Sequence, residues 1–145
     1  MPRILVVNGP NLNLLGKREP KVYGTKTLDE LNEKLVDMAK ELGIEISFYQ
    51  SNSESEIINY LHKEGFQADG LIINPGAFTH YSYALRDAIT AVGIEAIEVH
   101  MTNIYAREEF RRKSVIAPVC LGHLVGFGFY GYAMALSYFA DTIKK

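Results

Sequence analysis

The chain has 145 residues, 48% of them apolar and 22% charged, with a net charge of −2. These values describe a soluble chain that can bury a substantial core as a single domain, residues 1–145. They exclude a strong field for nucleic acid or for an anionic membrane surface. The one cysteine, Cys120, cannot close an internal disulfide, which suits a reducing, cytoplasmic setting. The opening residues, Met-Pro-Arg-Ile-Leu-Val-Val, carry no signal-peptide pattern.

Arg3–Asn8 is a continuous apolar run ending in a polar turn, as in a buried parallel strand. A polar loop follows from Gly9 to Lys26, far longer than the roughly 2–6 residues usual for such connections. That length marks a lid or a disordered segment. Pro10, Leu12, Leu14 and Leu15 favour partial ordering, and Gly16 and Gly24 suit hinges. Thr27-Leu-Asp-Glu30 predicts a capping box opening a helix. Leu28, Leu31, Leu35, Met38 and Leu42 share one face of it, and Gly43 stops it. Ile44–Tyr49 reads as the second strand. Ser53-Glu-Ser-Glu56 predicts another capping box, with Ile57, Ile58 and Leu61 turned inward. Gly70–Asn74 is a short third strand, and a helix around Tyr83–Val92 ends at Gly93. Ile94–His100 is the fourth strand, followed by a short charged helix at Arg107–Arg112. Val115–Leu121 reads as the fifth strand, and a last helix spans about Val125–Ile143. The stretch Ser114 to Ala140 lacks Asp, Glu, Lys and Arg and is long enough to cross a bilayer. Its glycines, Pro118 and His123 favour a buried strand and helix, partly covered by another subunit.

Five buried strands separated by helices imply an α/β fold, a parallel sheet with helices on both faces. Ligands bind such sheets outside the carboxyl ends of the strands, where strand order reverses. The first strand ends in Asn8-Gly-Pro-Asn11 and the third in Asn74-Pro-Gly-Ala-Phe-Thr-His80. The fourth ends in Glu98-Val-His100 and continues into Met101-Thr102-Asn103. Parallel strands bring these polar clusters to one edge. No GxGxxG, Walker-type loop, GxSxG elbow or Cys/His metal spacing is present.

Arg18 and Tyr23 lie close together in the long loop. A tyrosine hydroxyl ordinarily ionises near pH 10, and a guanidinium beside it favours the phenolate. The loop therefore supplies a candidate general base; without Arg18, Tyr23 would read as a surface aromatic. Glu98 and His100 face the same way at i, i+2, so the carboxylate can orient the imidazole as a general acid. The alternative is a solvated ion pair at a strand end. Asn74-Pro-Gly is a turn and equally a place where an amide meets an anion. His80 lies just beyond, and alone reads as a surface histidine. Met101-Thr102 backbone amides suit a carboxylate. Arg107, Arg111 and Arg112 form a solvated helix face unless one turns into the cleft as a bidentate donor. His62 and His123 read as structural.

Asn8-Gly-Pro-Asn-Leu-Asn-Leu-Leu-Gly16, Arg18-Glu-Pro with Tyr23-Gly24, Asn74-Pro-Gly-Ala-Phe-Thr-His80 and Glu98-Val-His100 closely resemble the type II 3-dehydroquinate dehydratases. The resemblance runs over nearly the whole chain, including Ala106–Arg112 and the Gly-rich last helix. It implies a flavodoxin-like three-layer fold and a lyase that dehydrates 3-dehydroquinate to 3-dehydroshikimate in the shikimate pathway, with no metal or cofactor and no lysine Schiff base. It implies Tyr23 as base, Arg18 as the group keeping it ionised, and Asn11 holding a water on the enolate oxygen. His100 would be the acid, oriented by Glu98. Asn74, Met101 and Thr102 would hold the substrate carboxylate, and His80 and Arg111 the ring hydroxyls. Asp87 would reach a neighbouring subunit's site in a homododecamer of trimers. Met101-Thr102 departs from the Ile or Leu followed by Ser that is commoner at this place. The competing reading is a non-catalytic flavodoxin-like module that holds an anion or nucleotide.

Overall fold

A computed structural model of the chain describes residues 1–143. Its five strands are β1 (Arg3–Asn8), β2 (Glu45–Gln50), β3 (Gly70–Asn74), β4 (Ala96–His100) and β5 (Gly122–Val125). They form one parallel sheet in the order β2-β1-β3-β4-β5. The chain steps from β1 to one side and then returns to build the other, so strand order reverses beside β1. Asn8 stands in register with Gln50 on one side and Asn74 on the other.

Central strands of such a sheet are covered on both faces and must be apolar throughout. Ile4, Leu5, Val6, Val7, Leu71, Ile72 and Ile73 are all fully buried. Helices α2 (Leu28–Leu42) and α5 (Tyr130–Thr142) cover one face, packing Leu35, Ala39, Leu136 and Phe139 against Ile4, Val6 and Ile72. Helices α3 (Glu54–Glu64) and α4 (Tyr83–Val92) cover the other, packing Ile57, Leu61, Leu85 and Ile89 against Leu5, Val7 and Leu71. Each such side chain contributes about 1.5–3 kcal/mol when fully buried. No helix among the described residues is long and apolar enough to cross a membrane.

The first capping box forms as read: Thr27 Oγ1 accepts from the Glu30 amide at 3.2 Å, and Glu30 Oε1 accepts from the Thr27 amide at 2.9 Å. The second is only half made. Ser53 accepts from the Glu56 amide, but the Glu56 carboxylate turns to the Ser51 hydroxyl instead.

Three stretches differ from the sequence reading. The expected fifth strand, Val115–Leu121, is not a strand. Pro118 has no N–H for a ladder, and Ser114 Oγ accepts from the Ile116 and Ala117 amides at 3.1 and 2.9 Å, curling the chain into a 3₁₀ turn at Ala117–Val119. Val115 and Ile116 are still core, so burial was read correctly and conformation was not. The edge strand begins only at Gly122. The last helix starts at Tyr130 rather than Val125, because Gly126 and Gly128 take positive φ. The charged helix at Arg107–Arg112 is split into 3₁₀ turns at Ile104–Ala106 and Glu109–Arg112, with Arg107 extended between them.

The long loop is partly ordered, as its leucines suggested. A 3₁₀ turn, Leu12–Leu14, and the short helix α1 (Pro20–Tyr23) are built into it. Leu12 and Leu15 are buried against Leu31, with Tyr23 and Met101 packed alongside, whereas Leu14 stays exposed.

Candidate active site

The ends of β1 and β3 approach closely enough that side chains would collide. A Cβ on Gly9 would lie 2.4 Å from the Pro75 carbonyl oxygen, and Gly76 takes φ +60 against Pro10. Glycine at both places lets the Gly9-Pro10 and Pro75-Gly76 turns interlock, fixed by the Gly9 amide donating to the Asn74 carbonyl at 2.8 Å. Asn11, next in line, adopts φ +72, a conformation asparagine tolerates better than most residues. Its amide is held by Asn52 Oδ1 at 2.9 Å.

Asn74 is oriented from behind the sheet. Its Nδ2 donates to the Tyr132 hydroxyl at 3.0 Å, and that hydroxyl donates to Asn8 Oδ1 at 2.7 Å. Asn74 Oδ1 accepts from the Gly76 amide at 3.1 Å. Tyr132 is entirely buried, and burial pushes its hydroxyl pKa up despite the hydrogen bond from Asn74, so the hydroxyl stays a neutral donor.

These turns form one wall of a cavity of about 180 Å³ at the carboxyl edge of the sheet, which includes Asn11, Arg18, Tyr23, Asn74, His80 and His100 in its lining. Met101, Thr102, Arg107 and Arg111 complete the opposite side. Of the residues to which the family resemblance assigns a site role, Glu98 and Asp87 do not line it. Glu98 lies beneath His100, and Asp87 is exposed on α4.

Glu98 is completely buried. Its Oε2 accepts from His100 Nε2 at 2.5 Å and from the Thr79 hydroxyl, and its Oε1 accepts from Ser114 Oγ at 2.8 Å. Burial alone drives a carboxyl pKa up. The hydrogen bond of His100, the close approach of His123 and the charges of both outweigh it, holding Glu98 well below the usual carboxylate range. Because His100 Nε2 is committed to Glu98, Nδ1 is the nitrogen left to the cavity. The solvated ion pair considered from the sequence is therefore not what forms: both partners are buried and share a hydroxyl network.

The Tyr23 side is built differently. Arg107 Nη1 donates to the Tyr23 hydroxyl at 2.8 Å and approaches Thr102 Oγ1 at 3.4 Å. Arg18 stands over the ring, its Cζ 4.6 Å from the centroid, and pairs with Glu19 at 3.5 Å. Both guanidinium groups thus flank one phenol. His80 Nδ1 meets the Lys113 carbonyl at 2.8 Å, and Arg111 Nε donates to Glu108 at 2.8 Å; both reach the cavity rim.

The sequence is matched by the model of one family, described as dehydroquinase class II, over residues 2–140. The chain belongs to the class II dehydroquinase family. A relative called 3-dehydroquinate dehydratase from Pelotomaculum thermopropionicum is 61% identical over 92% of this chain and 93% of its own length. One of the same name from Bacillus licheniformis is 57% identical over the full length of both. The crystal structure of a type II dehydroquinase from Butyrivibrio crossotus superposes with a TM-score of 0.94 at 48% identity, over 97% of this chain and 98% of that one.

Two residues of this dehydroquinase site were not singled out from the sequence. Arg107 was read with Arg111 and Arg112 as a solvated helix face from which one arginine could turn into the cleft, and Arg111 alone was given a role. The Ala106-Arg107 break that turns Arg107 inward follows from packing and leaves no sequence signal. His123 was placed at a helix start. On β5 it stands in register with Glu98, its Nε2 3.3 Å from Glu98 Oε2. Glu98, His100 and His123 are also, among the described residues, a trio of metal-ligating types within 4.8 Å of one another. Glu98 already accepts from Thr79, Ser114 and His100.

Proposed function

We propose that the chain dehydrates 3-dehydroquinate to 3-dehydroshikimate through an enolate, as a lyase of the shikimate pathway. The observation that carries this is the joint lining of one cavity by Tyr23, backed by Arg107 and Arg18, and by His100, backed by Glu98.

The elimination needs a base, a site for enolate charge and an acid. Tyr23 as phenolate takes the proton alpha to the ketone, with Arg107 Nη1 on its oxygen and Arg18 over its ring. The electron pair left on carbon moves into the carbonyl to give the enolate, whose oxygen is stabilised by a water held at Asn11. As the enolate collapses, the carbon–oxygen bond to the leaving hydroxyl breaks. His100 delivers a proton to that oxygen, so water departs and the ring gains its double bond. A positioned acid of this kind contributes about 10²–10⁴-fold. Glu98 keeps the imidazole oriented and stabilises its charged form. Asn74 with the Met101-Thr102 backbone takes the substrate carboxylate, and His80 and Arg111 the ring hydroxyls. Thr102 keeps the hydroxyl that a serine would bring, and the 3.4 Å approach of Arg107 to it supports a role in placing that arginine.

We infer further that the enzyme acts in the cytoplasm as a homododecamer of trimers, with Asp87 reaching a neighbour's cavity. The exposed position of Asp87 outside its own cavity supports this, as do the exposed apolar side chains Leu121, Phe127, Tyr130, Met134 and Tyr138. Light scattering at a monomer's mass would refute the assembly.

The decisive experiment is to add 3-dehydroquinate to chelator-treated protein and follow the ultraviolet absorbance of the conjugated enone. Tight binding without product would instead support the anion-binding module.

A further inference from the structure

Glu98 has more partners than a simple acid–carboxylate pair requires. Each side of the carboxylate is served by a hydroxyl, Thr79 on Oε2 and Ser114 on Oε1, and neither hydroxyl titrates at working pH. Two imidazoles then address the same oxygen, Oε2: His100 Nε2 at 2.5 Å and His123 Nε2 at 3.3 Å. The rings meet edge to face with centroids 5.4 Å apart. His123 Nε2 is sealed from solvent and has no hydrogen bond of good geometry. It is in ion-pair range of a carboxylate oxygen already occupied by its neighbour. The register makes this arrangement inescapable, since β4 and β5 pair Glu98 directly with His123.

We propose that His123 is a positioning residue for the acid proton of His100, competing with it for Oε2 of Glu98. This rests on the assignment of His100 as the acid. A buried carboxylate can neutralise one imidazolium well and two poorly, so the two rings compete for one counter-charge. When His123 carries the charge, Glu98 is neutralised from the β5 side, and a second cation on His100 is repelled at close range. When His123 is neutral, the full carboxylate charge supports the protonated His100 that the elimination needs. His123 thereby sets the upper pH to which the acid stays loaded. A further titratable group near this carboxylate, among the described residues, is Cys120, in the segment leading into β5. Burial, reinforced by the charge of Glu98, pushes its thiol up to about 12, so it stays protonated and takes no part.

His123→Gln keeps an N–H donor for Oε2 and removes the titration. Relative to the parent, its kcat–pH profile should have the alkaline limb displaced upward by roughly half to one pH unit. A merely structural histidine would lower kcat by a constant factor and leave the limb where it was. An unmoved limb overturns the proposal. The parent protein offers a second measurement that does not depend on folding of the variant. With ¹⁵N-histidine labelling, the His100 and His123 signals should each show two inflections at shared pH values. Independent single inflections overturn the proposal. Shared inflections with a kcat limb that ignores them would uphold the coupling and refute His100 as the acid, so the two failures are distinguishable.

Discussion

The two ends of the cavity are held by different means. His100 sits on a strand end with its ring nitrogen bound to a fully buried carboxylate, which is itself fixed by two hydroxyls from separate segments. Tyr23 sits on a four-residue helix in a long loop, half-buried, and its hydroxyl is reached by one arginine while another covers its ring. One end is a rigid part of the sheet. The other is a segment fastened mainly by Leu12 and Leu15 under α2 and by contacts with cations. An elimination that must exclude water benefits from this division. His100 is held by the sheet, whereas Tyr23 is held by its loop and by Arg107 on its hydroxyl.

Breaking the loop end should have the largest effect. Tyr23→Phe removes the base while keeping the ring between the arginines, so kcat should fall by at least about 10²–10⁴-fold. Circular dichroism and thermal melting should match the parent; substantial residual turnover would end the base assignment. Arg107→Leu removes the one donor that touches the hydroxyl, and a fall in kcat of about 10²–10³-fold is expected. Arg18→Leu, which loses only the contact over the ring, should cost less. A reversed order would mean that the loop rearranges so that Arg18 takes the hydroxyl.

At the rigid end, Glu98→Gln should lower kcat and also change the response to acid. In the folded chain this carboxyl is held below its ordinary value of 4.5, so the unfolded chain binds the proton more readily. The group therefore stabilises the fold above that pH, and the stabilisation is lost as pH falls below about 4. Urea melts from pH 7 downward should show that loss in the parent and a shallower one in Glu98→Gln. The smallest effect belongs to Tyr132→Phe. Losing the two buried hydrogen bonds of its hydroxyl, from Asn74 and to Asn8, costs about 1–3 kcal/mol, and KM should rise several-fold with kcat little changed. A large fall in kcat would show that Asn74 serves the chemistry as well as binding.

Much of the site was legible before folding was considered, because parallel strands must deliver their carboxyl ends to one edge. Asn11, Asn74, His80 and His100 could be grouped from strand ends alone, and the cavity lining bears that grouping out. Glu98 could be paired with His100 because side chains repeat every second residue along a strand. Where the reading went astray, in Val115–Leu121 and Arg107–Arg112, the apolar and charged patterns were real but conformation was decided elsewhere. Ser114 spends its hydroxyl on two nearby amides and on Glu98, and Pro118 withholds a donor, so an apolar run became a turn. That displacement put His123, read from the sequence as structural, on β5 beside Glu98.

The sequence by itself determined which layers form and where their polar ends gather, because burial and strand periodicity are local properties of the chain. Only tertiary structure decided which guanidinium meets the Tyr23 hydroxyl and how many imidazoles share Glu98. Those contacts join residues 84 positions apart in one case, Tyr23 with Arg107, and strands paired only through the sheet in the other. No local pattern encodes such distances; they exist once the core has packed.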